Sequence, residues 1–366
     1  MAQGTSSSLV LLLALVVLLC HCATLGLATS LVGDEVNWKW EFVTYPGPTP
    51  MFGQICQTYT NGTTQHDQLL VYAGYHASPQ GPSNSMYRYD FVTGQKFGIT
   101  QHAPPGGSIP WKRDGATAIM NPSKTKMMIF GGSQAPAEAL DDTWELDIAT
   151  FTWTEYTAGV HDGPSRRYGS SIVYVPEMNC ALMFAGSFWL ERLYYNDLWC
   201  YRFDTHTWRP VHPGFGSSPA PRFGHTAAYF EGLMYIYGGG DGSGDFNEVW
   251  AFSIENQQWG VVLSKPPPGR AWMQSAVVNK HWVVVGGARN STDNIEVWRW
   301  PINPGNALGE WEKVEMEGPA LIGRMDHCVF NHLNGSAVYM LGGFSYERRG
   351  PISDFLRFFY KNEDYN

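Results

Sequence analysis

Residues 219–239 read PAPRFGHTAAYFEGLMYIYGG: an Arg, an apolar run, a Glu-Gly step, a second apolar run and a glycine pair. Short runs rich in Tyr, Phe, Ile and Val between Gly, Pro, Asn and Asp clusters are strand signals. The second run with its small pair recurs as LLVYAG, MMIFGG, ALMFAG, LMYIYGG, WVVVGG and AVYMLGG. The pairs fall at Ala73-Gly74, Gly131-Gly132, Ala185-Gly186, Gly238-Gly239, Gly286-Gly287 and Gly342-Gly343, spaced by 58, 54, 53, 48 and 56 residues. Such a period marks a repeat architecture.

Each copy carries the same companions. An Arg stands 16 to 18 residues before the pair, at Arg113, Arg167, Arg222, Arg270 and Arg324, and Met51 takes that place 22 residues ahead of the first pair. An aromatic opens a new run 11 to 13 residues past the pair, at Tyr87, Trp144, Trp199, Trp250, Trp298 and Phe355. Another follows 9 to 13 residues later, at Phe97, Trp153, Trp208, Trp259 and Trp311. One unit therefore reads as four antiparallel strands. The glycine pairs, the downstream aromatics and PAPRFGHTAAYF as a first strand resemble the kelch-repeat family, over residues 38–360. The resemblance implies a β-propeller; it does not imply a function, because one fold hosts both binding modules and enzymes. Ala73, Ala185 and Met51 depart from the pattern.

The sixth unit stops at FLRFFY, while the chain opens with an orphan Trp strand, WKWEFVT at residues 38–44. That segment is expected to complete blade six and remove an exposed edge. The expected fold is all-β: a six-bladed kelch β-propeller of four antiparallel strands per blade, in one domain, 31–366, closed by the N-terminal strand. The glycines suit close backbone approach near the axis, and the Trp sets suit the wedges between blades.

The 24 Lys and Arg against 33 Asp and Glu leave a net charge of −9, which argues against a nucleic-acid partner. Charged residues make up 16% of the chain, below the roughly 25% of average domains, so disorder and coiled coil are excluded. Segment 1–30 has no charged side chain and a 12-residue apolar run, Leu9–Cys20, too short for a bilayer at ~20 residues and suited to a signal peptide. No later run matches it, so the mature chain is expected to be secreted, extracellular or lumenal, without membrane insertion. Sequons at Asn61, Asn290 and Asn334 agree with that route. Of the six cysteines, Cys56, Cys180, Cys200 and Cys328 follow the signal. Cys180 and Cys200 fall nearly opposite on adjacent strands, and Cys56 and Cys328 become neighbours if the ring closes, so these two disulfides are expected.

Alternating strand direction puts first-strand starts, two-to-three loops and four-to-one crossovers on one face. Arg113, Arg167, Arg222, Arg270 and Arg324 then surround one mouth of the channel. They either bond carbonyls and carboxylates of the blades or form a funnel for anions. Loops of the same face bring Phe188, Trp189, Tyr194 and Tyr195 from blade three, and Tyr346, Arg348 and Arg349 from blade six. Tyr, Trp and Arg are typical interface anchors. No nucleophile elbow, phosphate loop, HExxH or close ligand cluster appears, so no catalytic residue, metal site or cofactor is assigned. The expected function is a binding module for an extracellular protein or an anionic glycan. The alternative is a sugar mutarotase or sialic-acid epimerase, which would need an acid/base carboxylate or His beside the Arg ring.

Overall fold

Almost every apolar run forms a strand. In the computed structural model, β1 is Trp38–Phe42. The first sheet holds β2 (Ile55–Thr60), β3 (Asp67–Tyr72), β4 (Met86–Asp90) and β5 (Lys96–Gly98). The second holds β6 (Thr117–Met120), β7 (Lys126–Phe130), β8 (Thr143–Asp147) and β9 (Thr152–Glu155). The third holds β10 (Ser171–Val175), β11 (Cys180–Phe188), β12 (Leu193–Arg202) and β13 (Thr207–Val211). The fourth holds β14 (Thr226–Phe230), β15 (Leu233–Tyr237), β16 (Val249–Ser253) and β17 (Gln258–Val262). The fifth holds β18 (Gln274–Val278), β19 (His281–Val285), β20 (Val297–Pro301) and β21 (Glu312–Val314). The sixth has five strands, β22 (Met316–Glu317), β1, β25 (Phe355–Tyr360), β24 (Ala337–Leu341) and β23 (Cys328–Asn331), in that spatial order.

The described residues are 38–43, 50–77, 80–135, 138–157, 162–289, 292–302, 310–333, 335 and 337–360, all within the unit Asn37–Asn366. The expected signal segment 1–30, Thr44, and the sequon residues Asn290 and Asn334 lie outside them. Among the described residues the helical content is two 3-10 turns.

Neighbouring strands are antiparallel, except that β1 pairs parallel with β22 through Trp38 and Lys39 against Met316 and Glu317. On its other side β1 runs along β25 from Trp38↔Tyr360 to Phe42↔Leu356, and the buried Trp38 and Trp40 rings lie 4.3 and 4.8 Å from Phe358. Each second strand is buried on both faces because neighbouring sheets cover it, which is why its sequence is apolar without alternation. The apolar clusters accordingly join consecutive sheets. One combines Leu70, Tyr72 and Met86 with Ile129, Trp144 and Trp153, and another combines Val71 and Tyr87 with Phe330, Leu341 and Phe355. Trp144, Trp153, Trp208, Trp250, Trp259 and Trp311 are buried, whereas Phe97 is exposed.

Two sets of backbone hydrogen bonds tie the sheets together near the first-strand starts. The second residue of each small pair donates to the residue at the Arg position of the next sheet: Gly74 to Arg113, Gly132 to Arg167, Gly186 to Arg222, Gly239 to Arg270, Gly287 to Arg324 and Gly343 to Met51, each at 2.9 Å. Two residues past those positions, Gly53 donates to Asp326, Asp326 to Trp272, Trp272 to Gly224, Gly224 to Gly169, Gly169 to Gly115 and Gly115 back to Gly53, at 2.7–3.2 Å. These last six bonds form a cycle. Its members all have φ between 52° and 67°, which suits the four glycines and leaves Trp272 and Asp326 in left-handed backbone.

Two sequence expectations change here. Residues 188–195, expected as a loop, are the tip of a long β11–β12 hairpin with a 3-10 turn at Trp189–Glu191. Phe355, aligned with Trp144 by spacing alone, pairs with Leu341 as Thr143 pairs with Phe130, so Leu356 takes the Trp position.

Candidate functional site

Each repeat-position Arg ties together the starts of strands one and three and the end of strand two. In Arg113, Nε donates to the Trp111 carbonyl, Nη1 to the Gly131 carbonyl at 2.8 Å, and Nη1 and Nη2 to Asp142 at 2.7 and 2.6 Å. Arg167 repeats this with Ser165, Ala185 and Asp197; Arg222 with Ala220, Gly238 and Glu248; Arg270 with Pro268, Gly286 and Glu296; and Arg324 with Ile322, Gly342 and Asp354. All five arginines are at most 2% exposed. The anion funnel therefore gives way to internal pairing: an external anion would have to break one of these ion pairs and leave its carboxylate uncompensated. The carboxylates also accept from indoles, Trp144 to Asp142 and Trp199 to Asp197, both at 2.7 Å. Burial pushes Glu296 up, but hydrogen bonds from Lys313, Trp298, Arg270 and Asn294 hold it down at about 2.

The sequence contained this pairing in a form that spacing to the aromatic alone did not reveal. An acid lies 26 to 30 residues after each Arg, and the first repeat lacks both partners, with Met51 for the Arg and Ser85 before Tyr87 where Asp142 precedes Trp144.

The axial cycle carries different chemistry. Trp272 lies over Gly169 and Gly224, where added Cβ atoms would come within 3.0 Å of its indole. A Cβ on Gly53 would sit 3.1 Å from Asp326 Oδ2 and 3.2 Å from Asp114 Cβ, so both residues border that glycine. Burial raises Asp114 to about 6; burial and the neighbouring Asp114 raise Asp326 to about 7. Sequence reasoning missed both, because nothing in a repeat alignment shows which off-pattern residues meet at the axis. Beyond the cycle runs a channel cavity of about 260 Å³, lined by Gln54, Ser171, His225, Gln274 and His327 among others. His225 and His327 are held neutral by burial, at about 3, and Ser171 Oγ lies 2.7 Å from His225 Nε2. No group of three or more His, Cys, Asp or Glu suited to a metal occurs among the described residues.

The rim residues divide. Phe188 is buried at 4% exposure, and Tyr194 is half-buried, its ring stacked 5.7 Å from Phe223. Tyr195 lies 4.0 Å from the Arg167 guanidinium. Trp189 at 54%, Tyr346 at 40%, and Arg348 and Arg349 are exposed. The four-to-one crossovers add Trp111 at 65% and Phe215, fully exposed, to the same face. Cys56 and Cys328 lie at disulfide distance with Cα atoms 5.9 Å apart, and so do Cys180 and Cys200 at 5.6 Å.

A family model described as the KLHDC2/KLHL20/DRC7 Kelch-repeats domain matches residues 159–343, half of the chain. The chain belongs to the kelch-repeat family. This kelch chain is 25% identical over 263 residues to the leucine-zipper-like transcriptional regulator 1 homolog of Drosophila melanogaster, covering 64% of the chain and 25% of that protein. It is 29% identical over 236 residues to acyl-CoA-binding domain-containing protein 5 of Arabidopsis thaliana, 63% of the chain and 35% of that protein. It is 28% identical over 209 residues to multiple epidermal growth factor-like domains protein 8 of Mus musculus, 55% of the chain and 7% of that protein. The chain thus spans from less than a tenth to about a third of the length of these relatives. No helix among the described residues is long and apolar enough to cross a membrane.

Proposed function

We propose that this chain is a secreted six-bladed kelch propeller that holds an extracellular partner protein on the face bearing its two-to-three hairpins and four-to-one crossovers. Residues 1–30 are its signal peptide, 31–366 its single domain, β1 completes the sixth blade, and Asn290 and Asn334 carry N-glycans, whereas the Asn61 side chain is taken up by Gln68 and the Thr63 and Thr64 N–H groups. Six sheets, the hydrogen-bond cycle and the β1–β25 ladder support the blade count and the closure. Kelch repeats serve as protein-interaction modules, which supports the class of function. The observation that carries the surface is exposure: Trp111, Trp189, Leu190, Leu193, Phe215, Leu263 and Tyr346 all project from connections of that one face. Large apolar side chains left exposed on one face are typical anchors of interaction surfaces.

Screening the purified chain against arrayed extracellular proteins tests the reading. Trp189→Ala and Tyr346→Ala are expected to weaken the selected partner by about tenfold or more, while Val92→Ala on the opposite face has no effect. Equal loss in all three, or in none, would place binding elsewhere.

The epimerase reading has one observation in its favour, the Asp114 and Asp326 carboxylates with pKa values near neutrality at the axis. Its measure is the NMR anomer-exchange rate of sugars with wild type against Asp326→Asn; identical rates remove it.

A further inference from the structure

Arg occurs at one equivalent place in the third strand of three sheets. Arg299 on β20 faces Glu312 across the ladder and pairs with it at 2.6 Å; Arg357 on β25 faces Glu41 and pairs with it at 2.5 Å. Arg88 on β4 faces Phe97 instead. No carboxylate among the described residues pairs with it: its side chain hydrogen-bonds the Tyr59 hydroxyl, its guanidinium stacks 5.2 Å from the Phe97 ring, and its buried Nε lacks a hydrogen-bond acceptor.

Arg88 lines a cleft of about 630 Å³ between the first and second sheets, on the face opposite the crossovers. Tyr59, Thr63, Lys124, Thr125 and Phe151 complete the parts of the wall that matter. The Lys124 ammonium is drawn down by burial, with Asp67 pulling it back. Asp147 also lines the cleft, and it keeps its charge while its Oδ1 accepts from the Ala149 and Thr150 N–H groups and the Thr150 hydroxyl. Asp90 accepts from Gln68 Nε2 and the Val92 and Thr93 N–H groups and lies 3.1 Å from His66 Nδ1, while Asp67 accepts from Thr60 and lies 3.8 Å from His332 Nδ1. Two cations and one carboxylate, Arg88, Lys124 and Asp147, thus share a partly enclosed, hydroxyl-bearing cleft large enough for a small ligand, with an excess of positive charge along its wall.

We infer that this cleft binds a small hydroxylated oxyanion, a monosaccharide carrying a carboxylate or sulfate, with the oxyanion between Arg88 and Lys124. A guanidinium without a carboxylate suits either group through paired N–H donors, and the Thr hydroxyls and Phe151 face suit the sugar body. The site lies on the other face from the proposed protein surface and does not depend on it.

The test titrates the full purified chain with D-glucuronate, D-glucose 6-sulfate and D-glucose, followed by calorimetry and ligand-observed NMR. At least one charged sugar is expected to bind, more weakly as salt rises, with D-glucose binding at least about tenfold more weakly; which charged sugar wins identifies the oxyanion. Arg88→Met is expected to weaken binding about tenfold or more and Lys124→Met severalfold, whereas Arg299→Met and Trp189→Ala leave it unchanged. No binding of either charged sugar, or equal binding of D-glucose, overturns the inference. If Arg88→Met fails to fold, the exposed Lys124 decides: unchanged affinity in Lys124→Met overturns it as well.

Discussion

Met51 and Ser85 stand in the first sheet where Arg113 and Asp142 stand in the second, so the chain contains both versions of one contact. Arg113→Met alone strands a mostly buried carboxylate and is expected to cost about 3–5 kcal/mol. Adding Asp142→Ser, which copies the first sheet, is expected to restore about 1–2 kcal/mol of that loss in urea unfolding. Strict additivity of the two single changes would show that the pair is uncoupled. The small pairs give a second contrast at this scale. A Cβ on Gly131 would approach the Arg167 carbonyl too closely to be accommodated, so Gly131→Ala is expected to cost about 3 kcal/mol or more. Ala185 already holds φ 58°, and Ala185→Gly is expected to relieve up to about 1 kcal/mol, so the two changes should move the melting temperature in opposite directions.

Among the elements, β1 has the most consequential position, between β25 and β22. Removing residues 31–42 would uncover the β25 edge, leave β22 without its neighbour and expose Phe358 where Trp38 and Trp40 now cover it. Such a variant is expected to lose cooperative unfolding and to self-associate in light scattering; a monomer melting like the full chain would refute the role given to β1. This strand was legible beforehand because an unpaired Trp run and a three-strand last repeat leave one arithmetic solution. The β11–β12 hairpin was not, since Phe188 and the aromatics after it read as loop recognition residues when only their type is considered. Contact between distant residues was also hidden. Arg113 and Asp142 are 29 residues apart, and although alternating strand direction puts both at one end of the sheet, only the fold shows that the Arg side chain reaches past strand two to the start of strand three. Asp114 and Asp326, more than 200 residues apart, meet solely because both stand at the axis.

Over the whole molecule two opposed groups of carboxylates set the response to pH. Burial pushes Asp90 up, but hydrogen bonds from Thr93, Gln68 and His66 hold it at about 2, as similar bonds hold Glu296. Their stabilisation is present above the unfolded value near 4 and is lost as pH falls toward 2. Asp114 and Asp326 are raised, so their contribution is present below about 4 and is lost as pH rises through about 6 and 7. Stability is therefore expected to peak near pH 4–5 and to fall by on the order of 5 kcal/mol toward pH 8, with Asp326→Asn flattening that alkaline limb in chemical denaturation. Non-reducing peptide mapping is expected to join Cys56 to Cys328, and removing both sulfurs to cost about 2–5 kcal/mol. The β1–β25 ladder also has a mechanical consequence. Trp38 and Tyr360 are cross-strand partners, so tension applied through the two ends of the folded chain loads adjacent strands at the same end. The seam then unzips one hydrogen bond at a time, at low force. A disulfide between Cys56 and Cys328 would act as a stop: only the chain outside it could be drawn out, at most about 170 Å at full extension, while the sheets between stay sealed.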